Sequence, residues 1–244
     1  YVLVSRGSTT AYCLEEITGE KIAKERYLAG QTIRGILCVL DAGDRARPVT
    51  LHKGEALAVE PTSVADKLGP GDIVIKGGNA LDAFGNVGVI MVNPAGGTMG
   101  SFYMGMKARG LEIIYTVGLE KLVPSVEEAA RYGGTMMIGK SIGCKAGLAC
   151  VADGRVFTEI DALEALFDVA AVHFASGGWG GAEGSVTLIV EGPDAEVGKC
   201  MDFIETKIKG EPALPGIKSP CKTCPVGACS FKGKDDTDLP GYLK

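Results

Sequence analysis

The sequence predicts an α/β protein built on a Rossmann-like, doubly wound parallel sheet. Short aliphatic runs alternate with stretches of helical spacing, and the runs end in Gly-rich loops. Gly supplies 36 of 244 residues while aromatics make up 6%. Compaction with so few rings has to come from aliphatic packing and close backbone approach, which alternating strands and helices provide.

Residues 1–4 (YVLV) read as a strand and residues 5–10 as a loop of small polar residues. Ala11, Leu14 and Ile17 then fall at helical spacing up to Gly19. Between residues 31 and 62 the pattern changes to β-like pieces, 33–40 and 50–59, separated by 41–48. Residues 87–92 form a further strand, followed by NPAGGTMG (93–100) and a helix over 101–109. A strand over 111–117 comes next. Ser125 with Glu128 makes a capping box for a helix toward Tyr132, and Thr158 with Asp161 marks another helix start. From Ser185 a new unit begins, with a strand over 186–190 and a turn at 192–194. Val197, Met201, Ile204 and Ile208 then share one helical face. After Pro212 the chain is rich in Pro, Gly, Lys and Asp and poor in aliphatics, so it should be irregular. The expected organisation is an α/β ligand-binding domain over 1–180, a small α/β unit resembling half a ferredoxin-like sandwich over 181–212, and an irregular Cys-containing tail over 213–244.

A formal charge of −5 gives no basic field for a phosphate backbone, so no nucleic-acid partner is expected. The longest apolar run, 87–92, is far shorter than the ~20 residues that span a bilayer, so no membrane association is expected. Position 1 is Tyr, which leaves a processed leader open. The eight Cys are scattered except for the last three, a pattern that points to a reducing, cytoplasmic setting.

Three segments carry candidate chemistry. Arg6, Gly7, Ser8 and Thr9 lie at a strand-to-helix junction, where helical N–H groups, hydroxyls and a cation suit a bound phosphate. A capped helix start with a solvated Arg6 is the alternative. Cys221, Cys224 and Cys229 form CxxCxxxxC, a spacing at which thiolates wrap zinc or an iron–sulfur cluster. The fourth ligand would come from Cys200, Cys144 or Cys150; a CxxC disulfide and free thiols stay open. The loop over 176–184 (SGGWGGAEG) reads either as a ligand loop, with Trp179 as a cover and Glu183 as a reserve base, or as a linker. The two His, His52 and His173, have no Ser or Cys motif beside them, which argues against a hydrolytic triad. His52 reads as a surface strand residue and His173 as a core imidazole.

Residues 65–78 read ADKLGPGDIVIKGG, and this segment resembles ribose-5-phosphate isomerase A, in which an Asp of an ADE segment precedes IKGG at the same spacing. Asp66 and Lys76 fall into register, and the opening loop resembles that family's strand-GxGST-helix element. The likeness covers about the first third of the chain. It implies the fold group of phosphosugar isomerases and CoA transferases, a small phosphorylated metabolite as ligand, and assembly as a homo-oligomer. Ser63 stands where the family has a first Asp, Asn79 interrupts the Gly run, and DAFGN (82–86) carries Asp82 in place of the family's Glu. On this resemblance Lys76 stabilises an enediolate oxygen, Asp66 or Asp82 handles the proton, and Gly77 and Gly78 border the ligand. The function expected is sugar-phosphate isomerase-like. The alternatives are a non-catalytic phosphometabolite sensor and a metal or iron–sulfur protein working through its tail.

Overall fold

Alternating aliphatics make β1 (Val2–Val4) a strand with two faces, and each face is covered by different partners. Val2 and Val4 pack with Ala11 and Leu14 of helix α1 (Ser8–Thr18), with Tyr27 and with Ile75. Leu3 joins Val74, Phe102, Tyr103, Met106 and Ile113 in the largest apolar cluster. The computed structural model, which describes residues 1–243, is a mixed α/β protein.

Its main sheet has six strands in the order β11-β9-β6-β1-β4-β5. β6 (Ile73–Gly77), β9 (Glu112–Thr116) and β11 (Arg155–Phe157) extend from β1 in parallel, with Val4 opposite Ile75 and Lys76 opposite Tyr115. On the other side of β1, β4 (Thr50–His52) and β5 (Glu55–Leu57) are antiparallel. The chain therefore builds outward in one direction from β1 and then in the other. β1 and β6 run parallel, so their carboxyl ends lie at the same edge of the sheet.

The expected pieces 33–40 and 50–59 are each interrupted. β2 (Gly30–Ile33) and β3 (Ile36–Val39) are joined by Arg34 and Gly35, whose φ values are 49° and 73°. Lys53 and Gly54, at 51° and 89°, join β4 to β5 in the same way. Two consecutive residues at positive φ form the turn that matches the twist of a two-residue hairpin.

The helix starts follow their sequence signals. Ser125 Oγ accepts from the Glu128 N–H at 3.1 Å to open α3 (Val126–Arg131), and a full Thr158–Asp161 capping box opens α4 (Glu159–Leu166). Gly19 closes α1 at φ 70°, its N–H reaching Glu15 O.

The run before NPAGGTMG, β8 (Val87–Met91), lies in a separate antiparallel sheet between β7 (Ala80–Leu81) and β10 (Gly147–Val151). The helical segment after that loop begins as a π-turn over Met99–Tyr103 and continues into α2 (Met104–Ala108). β12 (Ala170–Ser176) pairs with β13 (Val186–Glu191), so the Gly-rich segment around Trp179 is the tip of a hairpin. Leu163 of α4, Ala171 and Cys200 of α5 (Asp194–Phe203) bury a small core beneath that hairpin. The tail holds three short 3-10 turns, Cys221–Thr223, Asp236–Asp238 and Gly241–Leu243. It packs Phe231, Leu239 and Leu243 over Ile36 of β3. No helix among the described residues is long and apolar enough to cross a membrane.

Candidate functional site

Lys76 sits one residue from the end of β6 and shares with Val74 the sheet face covered by Phe102, Tyr103 and Met106. Its side chain is 8% exposed and has neither a hydrogen bond nor an ion pair among the described residues. Burial alone lowers its ammonium to about 8, since nothing nearby repays the lost hydration. An uncompensated buried amine of this kind is costly, and it opens into a cavity of about 260 Å³.

Several stretches of chain converge on that cavity. Ser5 and Arg6 come from the end of β1, Lys76 from the end of β6, and Thr98 and Ser101 from the start of the helical segment after NPAGGTMG. Arg45 joins from the connection between β3 and β4. Burial lowers its guanidinium pKa, the Arg6 charge lowers it further, and Asp41 and Glu60 oppose both. Arg6 bonds Glu60 Oε1 at 3.1 Å and Ala46 O at 3.3 Å through Nη2. Its Nε and the Ser5 hydroxyl are buried without a partner. Glu60 is the one carboxylate in the lining, against three cations. Two positive charges are thus left for an incoming anion.

Arg6 and Lys76 are brought together as the sequence suggests, but their neighbours are not. Gly7 donates its N–H to Tyr27 O at 2.8 Å, which takes that amide out of any anion cradle. Ser8 and Thr9 open α1, where no side chain caps the first turn, and they stand outside the cavity lining. Gly77 has only the Thr10 methyl near its missing Cβ, at 4.0 Å. At Gly78 a Cβ would meet Val87 Cγ1 at 2.5 Å and Val117 Cγ2 at 2.8 Å, so Gly is there for packing.

Neither Asp joins the cavity. Asp66 is fully exposed and meets Arg109 at 3.4 Å. Asp82 is buried and accepts from the N–H groups of Phe84, Asn86 and Val126 and from the Asn86 side-chain amide, at 2.9–3.0 Å. Burial pushes its carboxyl up, but these four bonds outweigh that and hold it below the usual carboxylate range. Its lone pairs are spent on fixing the turn after β7 and the start of α3. Elsewhere, His173 bonds Ser176 Oγ at 2.7 Å on an exposed hairpin rather than in a core, because β12 has one open face. His52 stacks on the Tyr1 ring at 4.3 Å. Trp179 is 89% exposed, and Glu183 accepts from Gly181 N–H within its own loop.

No family model, curated protein or solved structure matches the chain. The site therefore has to be read from its own geometry. Sequence reasoning missed Arg45 and Glu60. The DAGDRARP segment (41–48) pairs two Arg with two Asp and gave no clear signal for the first, and only the fold brings the second to Arg6.

The tail cysteines also have unexpected neighbours. All eight Cys are free thiols. Cys144 of the segment before β10 forms an antiparallel bridge with Cys229, and Cys38 of β3 packs with Cys221 and Cys229 around Ile36. As they stand, no three His, Cys, Asp or Glu side chains among the described residues are grouped to hold a metal ion.

Proposed function

We propose that the chain binds a small phosphorylated metabolite in the crevice beyond the carboxyl ends of β1 and β6. The observation that carries this is Lys76, a buried ammonium without a partner, opening into a cavity that also holds Arg6 and Arg45. A phosphate dianion would restore the interactions burial has taken from the amine, and Arg6 Nε and Ser5 Oγ would gain an acceptor. A cavity of about 260 Å³ is at the small end for ligand sites, which favours a metabolite of few carbons over a dinucleotide. The resemblance to ribose-5-phosphate isomerase A supports the same reading, with a Rossmann-like framework and a cytoplasmic setting.

The catalytic form of this proposal is a sugar-phosphate isomerisation. An amine held near 8 exchanges protons at neutral pH and stabilises a developing enediolate. Glu60 takes the place that the sequence suggested for Asp66 or Asp82, as the carboxylate facing the cavity.

The test is thermal unfolding with inorganic phosphate, sugar phosphates, nucleotides and CoA thioesters at fixed ionic strength. A ligand at ~100 times its Kd stabilises by ~2.7 kcal/mol. Sugar phosphates should raise Tm in the native chain and in Asp66→Asn, and should have no effect on Lys76→Met. A shift that survives in Lys76→Met, or none with any phosphate ester, overturns the reading.

A further inference from the structure

We infer that Cys38, Cys144, Cys221, Cys224 and Cys229 form one thiolate site, four of them ligating a zinc ion or an iron–sulfur cluster that clasps the tail onto the β2–β3 hairpin.

The backbone brings these five together from three distant segments. Leu37, next to Cys38, pairs with Gly143 and accepts the Cys144 N–H at 2.8 Å. Cys144 faces Cys229 across a bridge flanked by Lys145 N–H to Ala228 O at 2.7 Å and Ser230 N–H to Gly143 O at 3.3 Å. Cys221 opens a 3-10 turn whose carbonyl accepts from Cys224 N–H at 3.3 Å and Gly233 N–H at 2.9 Å, folding the tail back on itself. The side chains of Cys38, Cys221 and Cys229 share one apolar cluster.

Mutual proximity shows in the charges as well. Cys144 interacts electrostatically with Cys229, Cys224 and Cys38. Cys38 in turn interacts with Cys221, Cys224 and Lys218. Each of the five thus lies within electrostatic reach of at least one other. Cys13, Cys150 and Cys200 sit apart, on α1, β10 and α5.

Two further features favour a metal over five spectators. The tail contributes few apolar residues, and a metal supplies the energy that a small core does not. Lys218 donates to Cys221 Sγ at 3.6 Å, which places a cation beside the negative charge that several thiolates accumulate. The Cys144–Cys229 bridge lies between its flanking hydrogen bonds, so its Cα atoms approach to about 4.5 Å, within disulfide range. One disulfide would use only two of the five, however, and would leave the convergence of Cys38, Cys221 and Cys224 unexplained. Tetrahedral zinc and cubane clusters each take four Cys. The sulfurs are not grouped for a metal as they stand, so ligation requires these side chains to rotate among their staggered χ1 positions.

The experiment is metal analysis, absorbance and thiol counting on the full chain purified without oxygen, followed by Co²⁺ titration of the chelator-stripped, reduced protein. About one zinc per chain, with thiolate-to-cobalt absorbance on substitution, supports the zinc form. Iron with acid-labile sulfide and visible colour supports the cluster. Of the single changes to Ser at Cys38, Cys144, Cys221, Cys224 and Cys229, four should each cut metal content at least tenfold, while Cys13→Ser leaves it unchanged. The inference is overturned if the stripped wild-type chain takes up neither Co²⁺ nor Zn²⁺. It is equally overturned if a Cys144–Cys229 disulfide is found with the other three thiols reactive, or if two or more of the five single Cys→Ser variants keep their full metal content. Because the readout is metal, it is independent of whether the Lys76 cavity binds phosphate.

Discussion

Replacing Lys76 with Met should stabilise the ligand-free protein. The amine falls from its ordinary 10.5 to about 8 through burial alone, and that difference at 1.36 kcal/mol per pH unit corresponds to about 3 kcal/mol. The direction in pH follows from which state holds the proton. Below pH 8 both folded and unfolded chains carry the charge, so the cost of burying it is present in full. Between 8 and 10.5 the folded chain has released the proton and the unfolded chain has not, so the cost fades and is gone above 10.5. Met fills most of the same space without a charge to bury. At pH 7 the variant should therefore exceed the native chain by about 3 kcal/mol in urea unfolding, or roughly 6–12 °C in Tm for a chain of this size. At pH 10.5 the gap should close. Saturating phosphate should also close it at pH 7, by stabilising only the native chain. A Lys76→Met protein less stable than the native one at pH 7, or a gap that does not change with pH, would refute the reasoning.

Two further outcomes separate structural from ligand-facing residues. Asp82→Ala strips the acceptor from the buried Val126 N–H and from the amides of Phe84 and Asn86, and should cost about 3 kcal/mol in chemical denaturation while phosphate binding is kept. Because the fold holds this carboxyl below its ordinary value, its contribution is present above about pH 4 and is lost as pH falls through the folded value; the variant should lack that acid limb. Gly78→Ala should cost about 1–3 kcal/mol, since its Cβ would overlap Val87 and Val117, whereas Gly77→Ala, with open space around it, should unfold within about 0.5 kcal/mol of the native chain.

What was legible in the sequence was local. Ser125, Thr158 and Gly19 announce helix ends because capping is decided within four residues, and the structure places each where its side chain or backbone requires. Lys76 stood out because an amine ending an apolar strand before two Gly has few routes to water. Pairing partners were not legible. The run 87–92 has the same aliphatic content as the strands of the main sheet, and only its neighbours β7 and β10 put it in another sheet. Asp82 resembles a catalytic carboxylate by position, but its role is set by amides that include one from α3, far along the chain. Cys38 could not be linked to the tail because more than 180 residues separate it from Cys221. Two Gly-linked hairpins were hidden inside strand-like segments because Arg34 and Lys53 are unusual residues at positive φ.

The cover that the tail lays over Ile36 has a consequence for synthesis. Ile36 is 2% exposed in a cluster with Phe231, Leu239 and Leu243, which are translated long after it. At roughly 5–20 residues per second, the β2–β3 hairpin waits roughly 10–40 seconds after its own translation before its apolar side is closed. During that interval the hairpin leaves Ile36 uncovered, the kind of transiently exposed apolar surface that makes a folding chain aggregation-prone.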